Sequence, residues 1–283
     1  GATTGSYNTA LGRGAGIALT TGTRNVVVGV DALKAVTTGA NNTAIGTNAL
    51  AAATGGESVA VGKAALATMT TAVRNTAVGN EALTANTTGY NNTAIGYVAG
   101  KGMTEGYQNT LVGDRAGTAI TTGDNNTAVG QNALKTATTA NENTAIGWDA
   151  LTLNTSGNYN VGVGSGVMAA NTTGSENTAV GADALDANTT GSENTAVGYQ
   201  SLSANTTGSY NLAVGKYALA ANTTGVRCTA IGRNTLQGQD TENDNIAIGY
   251  HAMTTDNAGG EQNVIVGNYA GDAITSGDGN TAL

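Results

Sequence analysis

Asn177-Thr178-Ala179-Val180-Gly181-Ala182-Asp183-Ala184-Leu185-Asp186-Ala187-Asn188-Thr189-Thr190-Gly191-Ser192-Glu193 runs straight into Asn194-Thr195-Ala196-Val197-Gly198, the same words again. Aligning the chain on the glycine that follows Val, Ile or Leu extends this register from Gly12 to Gly267. Sixteen such glycines occur, at intervals of 17 residues except for one of 16 (Gly46 to Gly62) and one of 18 (Gly249 to Gly267). Self-similarity at a fixed period marks a stacked architecture in which each repeat leans on its neighbours. The unit N-T-A-[VI]-G-x-x-A-L-x-x-N-T-T-G-x-x spans residues 1–283, which predicts a single array without a linker, cut mid-repeat at both ends.

Composition fits that reading and excludes others. The 283 residues include 43 Gly, no Pro, no Phe, and one each of Cys, His and Trp. A compact core of this size would normally use Phe and more Leu. Collagen needs Pro as well as Gly. Disorder is disfavoured, because 40% of residues are hydrophobic and the formal charge is only −8. No apolar run approaches the ~20 residues of a membrane helix, so membrane insertion is not expected. A lone Cys forms no intrachain disulfide.

Each unit divides into two apolar stretches and two breaks. In the first stretch the residue before Gly is aliphatic in every unit: Val129, Ile146, Val163, Val180, Val197 and Val214 are six of them. With Ala before it, the stretch is apolar on both faces and predicts a strand buried on both faces. The second stretch, Ala184-Leu185-Asp186-Ala187, predicts a strand with one wet face. Asn-Thr-Thr-Gly predicts a turn whose side chains bond their own backbone and whose Gly takes positive φ. Absence of Pro follows if every residue of a coil donates to the coil above or below. Four units replace the Leu by Gly16, Gly100, Gly117 and Gly271. A large side chain then appears three places later, at Leu19, Met103, Ile120 and Ile274, as conserved core volume demands.

About two large aliphatics per coil make a thin core. Association of several chains through the first strand would thicken it, and the expected assembly is a parallel homotrimer with the Asn-Thr-Ala-Val strands inward. The residues also resemble a family. Glu57-Ser58-Val59-Ala60-Val61-Gly62-Lys63-Ala64-Ala65 is similar to the head repeat of trimeric autotransporter adhesins of the YadA-like type, and Asn-Thr-Ala-Val-Gly-x-x-Ala-Leu to repeats of phage tail fibres. The resemblance implies an all-β, left-handed parallel β-solenoid (β-roll) of about sixteen coils in a homotrimeric fibre, extracellular, on a cell surface or on a virion. The head repeat of those adhesins is typically fourteen residues; the additional residues here fall at the Asn-Thr-Thr-Gly turn.

Little in the sequence suggests catalysis. His251 occupies a variable position and predicts a solvent-facing residue, and Cys228 replaces a repeat Asn and predicts a small, partly buried one. No acidic residue at fixed spacing orients the pair, so no enzyme is expected. Net charge −8 with a pI near 4.5 argues against nucleic acid. Asp240, Glu242 and Asp244 alternate in an atypical turn and form a weak candidate site for Ca²⁺, the only cofactor suggested.

The surface offers more. Tyr97, Trp148, Tyr199 and Tyr250 all follow the motif Gly and are spaced by 51 residues, three repeats. Such a column predicts aromatic steps of roughly 14 Å along a stack, suited to sugar rings of a cell-surface glycan. A second Tyr group (Tyr7, Tyr90, Tyr107, Tyr159, Tyr210) is expected to pack on turns. The glycosylation-type triplets at Asn86, Asn154, Asn171, Asn188, Asn205 and Asn222 are explained by turn chemistry. The functional expectation is a structural fibre or adhesin segment that displays loops to a host surface. A self-assembling extracellular filament is the alternative, and ice binding by the Thr-Thr columns is third.

Overall fold

The computed structural model describes residues 5–254, 260–274 and 276–283. The chain forms two compact units, Gly1–Glu142 and Asn143–Leu283. In the first unit eight strands stack parallel in chain order: β1 Thr9–Leu11, β2 Val26–Val28, β3 Thr43–Ile45, β4 Val59–Val61, β5 Thr76–Val78, β6 Thr93–Ile95, β7 Thr110–Val112 and β8 Thr127–Val129. In the second, nine do the same: β9 Thr144–Ile146, β10 Val161–Val163, β11 Thr178–Val180, β12 Thr195–Val197, β13 Leu212–Val214, β14 Thr229–Ile231, β15 Ile246–Ile248, β16 Val264–Val266 and β17 Thr281–Ala282. The architecture is an all-β parallel solenoid with one three-residue strand per 17-residue coil, and no helix occurs among the described residues. Register is in phase throughout each unit, with Thr178 beside Thr195 and Val180 beside Val197. The 16-residue interval leaves it intact, Thr43 pairing with Val59, so the turns absorb the missing residue.

Within the chain the strand is buried on one face, the side of its middle residue. Ala179 is fully buried, Thr178 is half-buried and Val180 remains 39% exposed. Of the other aliphatics expected in the strand that joins the chains, Ile146 is 39% exposed and Val129, Val163, Val197 and Val214 are half-buried. Successive side chains of a strand leave opposite faces, and the inner face is crowded by the Leu column. Ala is what fits there. Where Gly162 replaces it, an added Cβ would lie 3.1 Å from both Val167 and Met168 side chains, which have grown into the vacated space. The β-branched residue therefore stands outward, uncovered within its own chain.

The second apolar stretch is a run of turns, not a strand. In most coils three non-glycine residues adopt left-handed backbone: in one, Asp183 (φ 53), Leu185 (φ 54) and Glu193 (φ 58). Each would cost about 1–2 kcal/mol in isolation. They persist because their amides belong to an inter-coil ladder: Asp183 N–H donates to Ser165 O (2.9 Å), Leu185 N–H to Ser201 O (3.0 Å) and Glu193 N–H to Ser175 O (3.0 Å). The ladder thus runs through the turns as well as the strands, and this is why the sequence tolerates no Pro. Ala184 and Leu185 are both buried, which a one-faced strand could not achieve.

The glycines divide by cause. Motif Gly181 sits at φ +135, the backbone that only glycine adopts without strain. The turn glycines do not take positive φ as expected; close approach selects them instead. A Cβ on Gly174 would fall 2.5 Å from Asn171 Oδ1 and 2.8 Å from Asn188 Nδ2, and would strike Gly191 O. Gly174→Ala is accordingly expected to lower stability by about 1–3 kcal/mol, measured as the shift in urea midpoint. An unchanged midpoint would show that the turn can open at no cost.

The moved side chains of the Leu-to-Gly units fill the core as anticipated. Met103 and Ile120 are fully buried and Leu19 is 7% exposed, while Ile274 is half-buried. The Cβ positions of Gly100 and Gly117 are taken by Leu111 methyls, 2.8 and 2.7 Å away, and Leu111 is itself a large residue at the small inner strand position.

Candidate functional site

Three surfaces and one interior feature could carry function. The first surface is the outer face of each unit's sheet. In the second unit it presents a column of Thr, Val, Leu or Ile (Thr144 to Val264) beside a column of Val and Ile (Ile146 to Val266). Val161, Ile246 and Val264 are each 37% exposed, an apolar, regularly pitched and unpartnered face. The first unit repeats the pattern, with Val26 at 42%, Ile45 at 38% and Ile95 at 40%.

The second is the aromatic column. Tyr97 (50%) stands on the first unit, with the Arg115 guanidinium 5.8 Å from its ring centre. Trp148 (56%), Tyr199 (42%) and Tyr250 (37%) are exposed together on the second unit, each directly after its motif Gly. Between Trp148 and Tyr199 the same column holds Ser165 and Ala182; between Tyr199 and Tyr250 it holds Lys216 and Arg233. Lys216 Nζ lies 5.3 Å from the Tyr199 ring centre and 4.9 Å from that of Tyr217, and Arg233 Cζ lies 6.0 Å from that of Tyr250. Tyr199 meets Tyr217 edge-on at 5.6 Å, and Tyr250 meets Tyr269 likewise at 5.4 Å. Burial, neighbouring Tyr217 and Asp183 push the Tyr199 phenol upward, and burial and Tyr250 do the same for Tyr269. The second Tyr group splits. Tyr90 and Tyr107 stack at 5.1 Å with near-parallel rings, as turn packing requires. Tyr7, Tyr159 and Tyr210 instead stand 82%, 55% and 57% exposed.

The third is the acidic turn. Asp244 forms a two-pronged pair with Arg227, Nε to Oδ1 at 2.6 Å and Nη2 to Oδ2 at 2.8 Å, which holds its carboxyl below the usual range. Glu242 turns inward, only 5% exposed, and its Oε2 accepts the N–H groups of Asp240 and Thr241 at 3.0 Å each. Asp240 Oδ1 accepts the Thr223 hydroxyl at 2.6 Å. Each carboxylate has its own partner, and no convergent group of three metal-ligating side chains occurs among the described residues. His251 is half-buried, not fully solvent-facing: its Nε2 lies 2.9 Å from Asn234 Nδ2, and its ring stacks on Tyr269 and meets Tyr250 edge-on. Cys228 is fully buried, and burial pushes its thiol up.

The interior feature is a pair of amide ladders that turn chemistry alone did not reveal. Asn177 N–H and Nδ2 both donate to Asn160 Oδ1 (3.0 and 3.1 Å), Nδ2 also donates to Gly191 O (2.9 Å), and Asn194 repeats the arrangement one coil on. A second column joins Asn154, Asn171, Asn188, Asn205 and Asn222 through Nδ2-to-Oδ1 bonds of 2.7–3.0 Å. The expected self-bonding is present as well, Asn86 accepting from Gly89 N–H and donating to Gly89 O. These Asn are buried, so the glycosylation-type triplets are inaccessible in the folded chain. Cys228 interrupts the first ladder. Gln239 stands in for the Asn of the second column there, donating from Nε2 to Cys228 Sγ at 3.0 Å and to Glu242 O at 2.6 Å. In the turns, the first Thr of each pair donates its hydroxyl to the carbonyl of the matching Thr in the next coil, as from Thr172 to Thr189 O at 2.9 Å.

No protein-family model matches the chain, and no curated protein or solved structure matches it either. No helix of the described residues is long and apolar enough to cross a membrane.

Proposed function

We propose that this chain is a structural fibre or adhesin segment, of the kind found in a phage tail fibre or on a bacterial surface, and that it works outside the cell as a parallel homotrimer. The observation that carries this reading is the unpartnered outer face of the sheet. A regular apolar column repeated on every coil suits burial against the same column of other chains, whereas scattered apolar residues would not. The trimer and the fibre role also draw on the resemblance of the repeat wording to trimeric adhesin heads and tail-fibre repeats. Its work is mechanical: the inter-coil ladder sets reach and stiffness, and the aromatic column is displayed for a surface glycan. No catalytic role is assigned.

Sedimentation equilibrium tests the assembly. The native particle is expected at three times 27.7 kDa. Replacing Ile146, Val180 and Val214 together by Asp is expected to reduce it to a monomer with an unchanged far-ultraviolet circular dichroism spectrum. A monomeric native chain would overturn the trimer. Ice binding is a second reading that the same face supports, because Thr hydroxyls recur at the pitch of the strands beside flat aliphatics. It requires an open face, so a monomer showing thermal hysteresis favours it over the fibre. A concentration-dependent increase in mass without a plateau favours the filament.

A further inference from the structure

The unit Asn143–Leu283 holds twelve Asp and Glu against three cations, Lys216, Arg227 and Arg233. Arg227 is paired with Asp244. Lys216 and Arg233 have no ion pair among the described residues, although acids outnumber them heavily in their own unit. They occupy the same slot in consecutive coils, a juxtaposition of like charges that costs stability in a stacked sheet. Both side chains are exposed. Aromatic groups bracket them: Tyr199 and Tyr217 on one side, Tyr250 and Tyr269 on the other. Asp149 and Asp183 follow Trp148 and Ala182 in the other interval, and Asp183 reaches this one only at its Tyr199 edge.

We infer that the interval from Tyr199 to Tyr250 is a binding site for an acidic saccharide, with Lys216 and Arg233 holding its carboxylate or sulfate groups and the tyrosines stacking on its rings. Charge complementarity selects this occupant. Two neighbouring cations offer paired charge-assisted hydrogen bonds to anionic substituents on successive sugars, and a sugar presents an apolar ring face to an aromatic where a simple anion presents none. Three coil spacings of 4.7–4.9 Å separate the bracketing Tyr199 and Tyr250, roughly 14 Å, a span that fits a short run of pyranose units. The interval from Trp148 to Tyr199, with Ser165 and Ala182 between the aromatics and aspartates beside them, is by contrast suited to neutral sugar. This inference rests on the glycan-displaying role assigned to the aromatic column and narrows it to a ligand class.

The test uses the complete chain and two probes, an oligogalacturonate hexamer and the same hexamer with its carboxyl groups reduced to alcohols, with affinity read by calorimetry in 50 and 500 mM NaCl. The acidic hexamer is expected to bind at least tenfold more tightly than the reduced one at low salt, and to lose that advantage at high salt. Lys216→Gln with Arg233→Gln is expected to abolish the difference while leaving the mass unchanged and the unfolding midpoint no lower. Equal affinity for both hexamers, weakened by Tyr199→Ala, overturns the ligand class and leaves the glycan role standing. Absence of binding to either hexamer overturns both. Equally tight, Lys216- and Arg233-dependent binding to single-stranded DNA or to phosphatidylglycerol vesicles overturns the saccharide assignment in favour of generic anion capture. A changed particle mass in the double variant overturns it in favour of a contact between chains.

Discussion

Ala179→Asp is expected to unfold much of the Asn143–Leu283 unit under conditions in which Val180→Asp leaves it folded, although the two residues are adjacent and both apolar. Ala179 has no exposed surface and faces the Leu column, whereas Val180 is 39% exposed on the outer face. The space available at the inner position is shown by Gly162 one coil earlier, where even a methyl would sit 3.1 Å from two side chains and 3.4 Å from Leu151. A carboxylate there has neither volume nor counter-ion. Leaving a buried charge unpaired costs about 3–5 kcal/mol, and steric displacement of Leu185 adds to it. Because each coil is stabilised by its neighbours, the damage spreads to those on either side. With a urea dependence of about 1–3 kcal/mol/M, the midpoint for Ala179→Asp should fall by more than 1 M, if the unit folds at all. Val180→Asp should move it by a few tenths at most and act instead on particle mass. Equal losses of midpoint in the two variants would show that the outward face is part of the chain's own core.

This contrast shows where the repeat is legible and where it is not. The 17-residue period, the parallel stack and the need for donors at every position follow directly from the spacing of Gly and the absence of Pro. Facing does not, because Ala and Val are both apolar and a three-residue strand carries too little alternation to say which side is inside. The Leu position is different, since its real geometry was visible in principle. Across sixteen repeats it holds only Leu, Met or Gly, never Val or Ile. Volume conservation explains the exchange of Gly with a later large residue, as at Gly117 and Ile120. Exclusion of β-branched residues needs the further fact that the backbone there is left-handed, with φ near 50 at Leu134 and 58 at Gly117. A strand would have welcomed Val and Ile, so their absence speaks for a turn.

The aromatic column was legible for the same reason as the period: one slot, one spacing. Lys216 and Arg233 were missed as part of it because neither is aromatic and each is unremarkable alone. Their significance comes from adjacency across coils, which is 17 residues in sequence and one step in space. The acidic turn failed in the opposite direction. Alternating Asp240, Glu242 and Asp244 suggested convergent oxygens, but in a turn each points at a different partner: a hydroxyl, two backbone amides and a guanidinium.

The buried asparagines make the second strong prediction. Asn177 reads in sequence as a polar residue heading a strand, yet it has no exposed surface and joins three coils. Its Nδ2 donates to Asn160 Oδ1 and Gly191 O, and its Oδ1 accepts both the N–H and the Nδ2 of Asn194. Asn177→Ala removes all four bonds and strands the Asn194 N–H in the interior, while Gly191 O keeps the Asn188 Nδ2 donor. At about 1–3 kcal/mol for the orphaned N–H, with the other lost bonds added to it, the variant forfeits a large share of the margin of many domains. Asn222 supplies the control. It ends its ladder, its Oδ1 has no hydrogen-bond partner, and Gly225 O keeps the Asn211 Nδ2 donor, so Asn222→Ala strands no backbone group, takes a donor only from Asn205 Oδ1 and should cost less than Asn177→Ala. Asn177→Asp separates hydrogen bonding from volume. One carboxylate oxygen can still accept from Asn194, but the other faces two acceptors, Asn160 Oδ1 and Gly191 O, and burial with that repulsion raises its native pKa above the unfolded value of about 3.9. The unfolded state then releases its proton first, so stability should be highest below that value, decline as pH rises towards the native pKa, and level off beyond it. Asn177→Ala introduces no titrating group and should show no such decline relative to the native chain. Urea midpoints at pH 3.5 and 7 decide the matter: parallel behaviour of the Ala and Asp variants would mean that the ladder is incidental to folding and that Asn177 serves only to fill space.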